Sequence, residues 1–210
     1  SGLNEQPTCQ GLVARRFTER LVRARRARDR IRAGPELGRG PAAGGGPQKR
    51  GLYTEKLTPP AAYPPMEKII VHAKFHTGHR QLGYPGECRF VHGHTWRGTV
   101  TIATDAFPRD ELDMSLDFGH IKDVMRDLDH KMLVVESDTT FMNPALFEPE
   151  GVVVLKGKGP SVENVAHYVF DKVVSLIAAQ YPGRGLAYRV EVTIQETENN
   201  FFVVEKTVTV

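Results

Sequence analysis

HTGHRQLGYPGECRFVHGHTW, residues 76–96, is the stretch in which the chemically reactive side chains of this chain are concentrated. It holds four of the eight histidines, one of the two cysteines and the only tryptophan of the 210 residues. Alternating apolar runs precede it at residues 68–75 and follow it at residues 95–104. The pattern predicts two half-buried strands joined by an irregular loop that carries the histidines.

His94 lies at the start of the second predicted strand, and His92 precedes it, separated by one glycine. Side chains at i and i+2 of a strand point to the same face, so these two imidazoles can converge. A third histidine from the preceding loop or strand end would complete a catalytic zinc site with an open fourth position. Two alternatives remain open: a chance pair of surface histidines, or a closed structural site with Cys88 as fourth ligand.

The N-terminal third differs in composition from the rest. Residues 1–66 carry 13 Lys and Arg against 5 Asp and Glu, whereas the remaining residues carry 15 against 20. Residues 11–32 predict a basic amphipathic helix. Such a helix could bind nucleic acid or an anionic membrane, serve as a targeting presequence, or be a solvated appendage. We favour the appendage because the stretch lacks the aromatic interleaving that would support specific nucleic-acid recognition. Residues 33–66 predict a Gly/Pro-rich linker. The folded domain is therefore expected at residues 67–210.

Composition also narrows the class of protein. No run approaches 18 consecutive apolar residues, so no transmembrane helix is expected. Cys9 and Cys88 lie far apart and predict no disulfide framework, which favours a reducing, cytoplasmic location. The chain has no glycine-rich nucleotide motif, which fits a reaction without an external redox cofactor.

Two helices and two further strands are predicted after residue 104. The helices run from an N-cap at Asp117 to about Asp129 and from an N-cap at Ser161 to about Gln180. Residues 134–150 are predicted as loop and 152–155 as a short extra strand, before strands at 187–195 and 201–210. This order predicts an α+β fold, a four-stranded antiparallel sheet with two helices between strands 2 and 3. Its exposed edges favour an oligomer.

Two further features have a functional and a structural interpretation. Asp129 and His130 follow the first helix, and a carboxylate beside an imidazole is suited to proton transfer, although the same pair also occurs as a surface salt bridge. Glu163 lies in the first turn of the second helix, where the helix dipole favours a carboxylate without any substrate.

Six motifs, taken together and in this order, resemble the 6-pyruvoyltetrahydropterin synthase family over residues 67–206. The three-residue gap between the cysteine and the HGH triplet is similar to the bacterial 6-carboxytetrahydropterin synthase branch. The motifs are Phe75-x-x-x-His79, Cys88-x-x-x-His92-Gly93-His94, Asp117-Phe118-x-x-x-Lys122, Leu128-Asp129-His130, Ser161-x-Glu163-Asn164 and Glu196-Thr197.

The resemblance implies roles for individual residues. His79, His92 and His94 would bind Zn²⁺; His76 is a competing candidate, but the family has a small residue at its position. Cys88 would be the catalytic base and not a ligand.

The remaining motif residues would act on protons or on the pterin. Asp129 and His130 would relay protons, and Glu196 would hold the pterin ring. Ser161 and Glu163 would contact the pterin, although Val162 departs from the Thr of the animal enzymes.

The resemblance also implies a fold and a reaction. The fold would be the tunnelling fold, assembled as a homohexamer of two trimers with active sites between subunits. The substrate would be 7,8-dihydroneopterin triphosphate, and the products 6-carboxy-5,6,7,8-tetrahydropterin, acetaldehyde and triphosphate, toward queuosine. Alternatives are a 6-pyruvoyl product or another pterin side-chain cleavage on this scaffold, and, more distantly, a nucleic-acid-binding protein with a structural zinc.

Overall fold

Two long antiparallel strands form the centre of the sheet. In the computed structural model, which describes residues 66–210, β1 (Glu67–His79) and β2 (His92–Thr104) pair over 13 residues each. β5 (Ala187–Gln195) pairs antiparallel with β2, and β6 (Phe201–Thr209) pairs antiparallel with β5. The basic helix and linker expected before this domain lie outside the described residues.

Two short strands extend the sheet on the other side of β1. β3 (Lys131–Val135) pairs parallel with β1, and β4 (Val152–Leu155) pairs parallel with β3. The sheet is therefore six-stranded and mixed, in the order β4-β3-β1-β2-β5-β6, and the expected four-stranded antiparallel sheet is wrong. β3 is a short continuous apolar run, which periodicity alone does not distinguish from the end of the preceding helix.

Two helices cover one face of the sheet. α1 (Phe118–Arg126) packs on β1, and α2 (Val162–Gln180) packs on β5 and β6. Asp117 caps α1 as expected, because its carboxylate accepts a hydrogen bond from the Gly119 N–H at 2.8 Å. Ser161 is the N-cap of α2, but its side chain makes no capping hydrogen bond. Neither helix is long and apolar enough to cross a membrane, nor is any other in residues 66–210.

The two faces of the sheet differ in character. On the helix-covered face, the β1 and β2 side chains are buried, among them Val71, Phe75, Trp96 and Val100. The opposite side, here called the open face, presents exposed residues at the alternate positions, such as Ile70. This alternation determines which histidines of the loop region can meet.

Candidate active site

Three imidazoles meet at one end of the central hairpin, on the helix-covered face. His79 is the last residue of β1 and lies opposite His92, the first residue of β2, while His94 is two residues further along the same face. The His79 ring centroid lies 4.5 Å from that of His92 and 5.3 Å from that of His94. One nitrogen from each ring falls within 4.8 Å of the others, so all three can bind a single metal ion.

Backbone carbonyl groups orient two of the three rings. His79 Nδ1 donates a hydrogen bond to the Pro160 carbonyl, and His92 Nδ1 donates one to the Phe90 carbonyl, both at 2.8 Å. A carbonyl oxygen only accepts, so each Nδ1 carries the proton and each neutral ring keeps its lone pair on Nε2. Metal-binding histidines are typically held in this way.

The surroundings of His79 fit a bound cation. Its side chain is 2% exposed, and burial lowers the pKa of His79 to about 4, so the ring is neutral at physiological pH. Among residues 66–210, its Nε2 has no hydrogen-bond partner, and it lies 3.5 Å from Glu196 Oε1. A lone pair cannot hydrogen-bond to a carboxylate, whereas a metal ion bound by the three imidazoles would satisfy the lone pair. Burial also lowers the pKa of His94, and the negative charge of Glu196 opposes this shift by raising the pKa.

An aromatic floor lies beneath the three histidines. The fully buried Trp96 ring packs edge-on against His79 at 5.3 Å and His94 at 5.8 Å, and stacks on Phe75 at 6.1 Å. Trp96 restricts the ring positions of two histidines. The sequence prediction did not include a role for Trp96. Its position two residues after His94 nevertheless places it on the same face of β2 as His92 and His94.

Cys88 lies on the loop between β1 and β2, in the short 3₁₀ turn Glu87–Arg89, with an exposed free thiol. The Gln81 N–H donates a 2.7 Å hydrogen bond to the Cys88 carbonyl. Because Gln81 follows His79 by two residues, this bond fastens the cysteine loop to the end of the strand that carries the metal-binding set.

Asp129 and His130 form a pair, but not beside the three histidines of their own chain. His130 Nδ1 lies 3.0 Å from Asp129 Oδ2. The His76 N–H donates to Asp129 Oδ1 at 2.6 Å, and this bond, more than the bond from His130, lowers the pKa of Asp129. The exposed His130 ring faces the ring of His76, whose side chain belongs to the open face and bonds to Thr95 Oγ1 at 3.1 Å. His76, the competing candidate ligand, is therefore not in the set.

The proposed pterin-contacting residues come from two other elements. Glu196 directly follows β5 and reaches His79, as described above. Ser161 lies next to Pro160, whose carbonyl holds His79, so the start of α2 also borders the three imidazoles. Glu163 is exposed in the first turn of α2.

Comparison with known proteins agrees with the motifs. The model of the family described as 6-pyruvoyl tetrahydropterin synthase matches residues 68–207. The chain belongs to this family. It is accordingly a lyase, as the sequence predicted.

The relatives in the family point to one branch. The chain is 32% identical over 114 residues to a 6-carboxy-5,6,7,8-tetrahydropterin synthase of Rickettsia felis, a match that covers 51% of this chain and 80% of the relative. It is 38% identical over 104 residues to a putative enzyme of the same name from Pyrococcus abyssi, a match that covers 45% of this chain and 64% of the relative. These matches support the 6-carboxytetrahydropterin synthase branch of the family.

A solved structure shares the fold. The chain superimposes on a Plasmodium falciparum 6-pyruvoyl tetrahydropterin synthase with a TM-score of 0.52 at 16% identity, covering 69% of this chain and 99% of that one. The six-stranded sheet with two helices is consistent with the tunnelling fold.

Proposed function

We propose that the chain is a zinc-dependent 6-carboxytetrahydropterin synthase. It would convert 7,8-dihydroneopterin triphosphate and one water to 6-carboxy-5,6,7,8-tetrahydropterin, acetaldehyde and triphosphate, a step toward queuosine. The observation that carries this proposal is the set of His79, His92 and His94, with a buried, unpartnered Nε2 on His79. We also expect a cytoplasmic location, from the cysteine usage.

The three histidines would hold Zn²⁺ and leave a position open for substrate. The ion would supply Lewis acidity toward the side-chain hydroxyl groups of the substrate. The rings of His79 and His92 stay aligned because backbone carbonyl groups accept hydrogen bonds from their Nδ1 atoms. The buried Trp96 ring packs against His79 and His94 and would keep these two rings in position for the substrate side chain.

Cys88 and Glu196 would act on the substrate from opposite ends. Cys88, as thiolate, removes a proton from the substrate side chain, and its exposed position leaves it accessible. Glu196, next to His79, accepts hydrogen bonds from the 2-amino group and a ring N–H of the pterin. Ser161 and Glu163, at the start of α2, would contact the pterin. Oxidation of the side chain is balanced by reduction of the ring, so no external redox cofactor is required.

Asp129 and His130 would serve the metal centre of a neighbouring subunit. Within one chain, the pair is attached to the open face through His76, whereas His79, His92 and His94 lie on the helix-covered face. A site that uses both groups therefore has to be completed by a second copy. This requirement supports the proposed hexamer with active sites between subunits.

Product analysis tests the proposal most directly. The zinc-loaded protein is incubated with 7,8-dihydroneopterin triphosphate, and the products are identified by mass spectrometry. We expect a 6-carboxytetrahydropterin and acetaldehyde. A 6-pyruvoyl product would contradict the branch and keep the site, while zinc binding without any turnover would contradict the catalytic role of Cys88.

A further inference from the structure

A row of nitrogen-bearing side chains runs along the open face of the sheet. His72, Lys74 and His76 alternate on β1, and Arg97 lies beside them on β2; all four are exposed, and we call them the basic row. His72 and His76 each bind a threonine of β2 through Nδ1, at 2.8 Å and 3.1 Å, which holds both rings in place. Their Nε2 atoms remain available to a ligand.

The centre of the basic row is a pair of like charges. Lys74 lies directly opposite Arg97 in the β1–β2 register, an arrangement that destabilises a sheet. Within residues 66–210, neither side chain makes an ion pair. The carboxylates of this face are Asp129, which pairs with His130, and Glu191 and Glu205, which lie opposite each other further out in the sheet. Arg189 binds Glu205 at 2.7 Å. Two cations without counter-charges indicate a site for an anion.

Two shallow depressions follow the basic row. One, of about 380 Å³, is lined by His72, Lys74 and Arg97 and bordered by the exposed ring of Phe201. The other, of about 440 Å³, is lined by His76 and His130. Its floor is the cross-strand pair Gly78 and Gly93, which bears no side chains and so allows a ligand to approach the backbone closely. The row therefore leads from Arg97 to the Asp129–His130 pair.

We propose that the basic row binds the triphosphate of the substrate and of the released product, an inference that rests on the proposed function. A triphosphate is an extended polyanion, and neighbouring side chains on the same face of a strand are about 7 Å apart, so several can contact it. Arg97 offers a planar fork of donors and Lys74 a compact charge, both suited to phosphate oxygens. A pterin bound beside His130 would place its triphosphate over His76 and Lys74.

Calorimetry with inorganic tripolyphosphate tests the inference. The full-length, zinc-loaded protein is titrated in parallel with Lys74→Gln and Arg97→Gln. The matched control is Lys206→Gln, because Lys206 lies over the Phe170 ring, on the helix-covered side. We expect each row substitution to weaken binding about tenfold or more, and the control to bind as the wild type does. Because a like-charge pair is relieved, neither row variant should have a lower melting temperature.

Kinetics separates this inference from the proposed function. In the row variants, the KM for 7,8-dihydroneopterin triphosphate should rise by a similar factor, while inhibition by 7,8-dihydroneopterin, which lacks phosphates, stays unchanged. If the wild type turns over normally and both variants bind triphosphate as tightly as the wild type does, the inference about the basic row is wrong and the proposed function stands. Failure of the wild type to bind tripolyphosphate would also overturn it. Absence of pterin turnover would refute the proposed function, whereas calorimetry would still decide whether the basic row binds triphosphate.

Discussion

At the level of single residues, the position along a strand separates histidines that the sequence places side by side. His76 and His79 differ by an odd number of residues, so their side chains lie on opposite faces of β1. His92 and His94 differ by two and share a face with His79. The same rule therefore assigns three histidines to the metal-binding set and leaves the fourth to the open face, next to His130.

Cys88→Ala tests whether the cysteine is a base or a ligand. We expect this variant to keep the zinc content of the wild type and lose turnover, because three histidines suffice to hold the metal. Zinc is measured by elemental analysis and turnover by product formation. The matched control is Cys9→Ala, at the other cysteine, which lies outside the family match and should remain active. Loss of zinc from Cys88→Ala would show that the thiol is a ligand.

Glu196→Gln tests the pterin contact. An amide cannot accept two hydrogen bonds from adjacent N–H groups as a carboxylate does, so pterin binding should weaken by roughly 10- to 100-fold. We expect a raised KM and a nearly unchanged melting temperature. Glu198→Gln, in the same exposed turn, is the control and should match the wild type. An unchanged KM with a lowered melting temperature would make Glu196 a structural residue.

At the level of secondary-structure elements, a buried ion pair connects the end of β1 to the segment after β3. Arg80, next to His79, donates from Nε and Nη2 to both oxygens of Asp138, each at 2.7 Å, and also reaches Thr140 Oγ1 at 3.0 Å. Asp138 is only 3% exposed, and the guanidinium carbon of Arg80 lies 5.0 Å from the centroid of the Phe141 ring. This pair fixes the strand end that presents His79.

Asp138→Asn should destabilise the protein by about 3 kcal/mol, because Arg80 would keep a partly buried charge without its partner. Hydrogen bonding from Arg80 lowers the pKa of Asp138 in the folded protein. Its contribution to stability is therefore present above the unfolded pKa of about 3.9 and lost as the pH falls through the lower folded value. The difference in unfolding free energy between wild type and variant should accordingly shrink below about pH 4 in denaturant titrations.

A matched control for this prediction is Asp171→Asn. Asp171 is 63% exposed and lies 3.8 Å from Lys156, so its loss should change the stability by less than about 0.5 kcal/mol. Equal effects of the two substitutions at pH 7 would contradict a structural role for the Arg80–Asp138 pair.

At the level of the whole molecule, the two halves of the proposed catalytic machinery lie on opposite faces of one sheet. The metal-binding set faces the helices, and the Asp129–His130 pair faces the open side. No rearrangement of side chains brings them together, since the sheet itself lies between them. The proposed function therefore requires copies of the chain to associate for catalysis.

Mixing two inactive variants tests this arrangement. Cys88→Ala and His130→Ala should each be inactive alone. After unfolding and refolding together, mixed assemblies should regain turnover, because some sites would combine an intact Cys88 from one copy with an intact His130 from another. Refolding each variant separately and mixing only afterwards is the control, and should remain inactive if subunits do not exchange. Continued inactivity of co-refolded mixtures would indicate that each chain carries a complete site.

Local patterns were sufficient for most elements. The alternating runs predicted β1, β2, β5 and β6, and the 3.6-residue spacing predicted α2 with its end at Gln180. The loop expected to carry the histidines was predicted too long, because β1 continues to His79 and β2 begins at His92. The capping side chain of Asp117 marked the start of α1. α1 ends at Arg126, three residues before Asp129, because the chain turns there toward β3.

Only the tertiary structure decided the contacts between residues that are distant in the sequence. β3 was missed because a parallel strand is not joined to its partners, here β1 and β4, by a tight hairpin turn that would mark the pairing in the sequence. The sequence also did not indicate that Asp138 is the partner of Arg80, because 58 residues separate them. The identity of the reactive side chains is thus encoded locally, in spacing and residue type. Which side chains of different strands and turns meet depends on how those distant segments pair in the sheet, and this the tertiary structure decides.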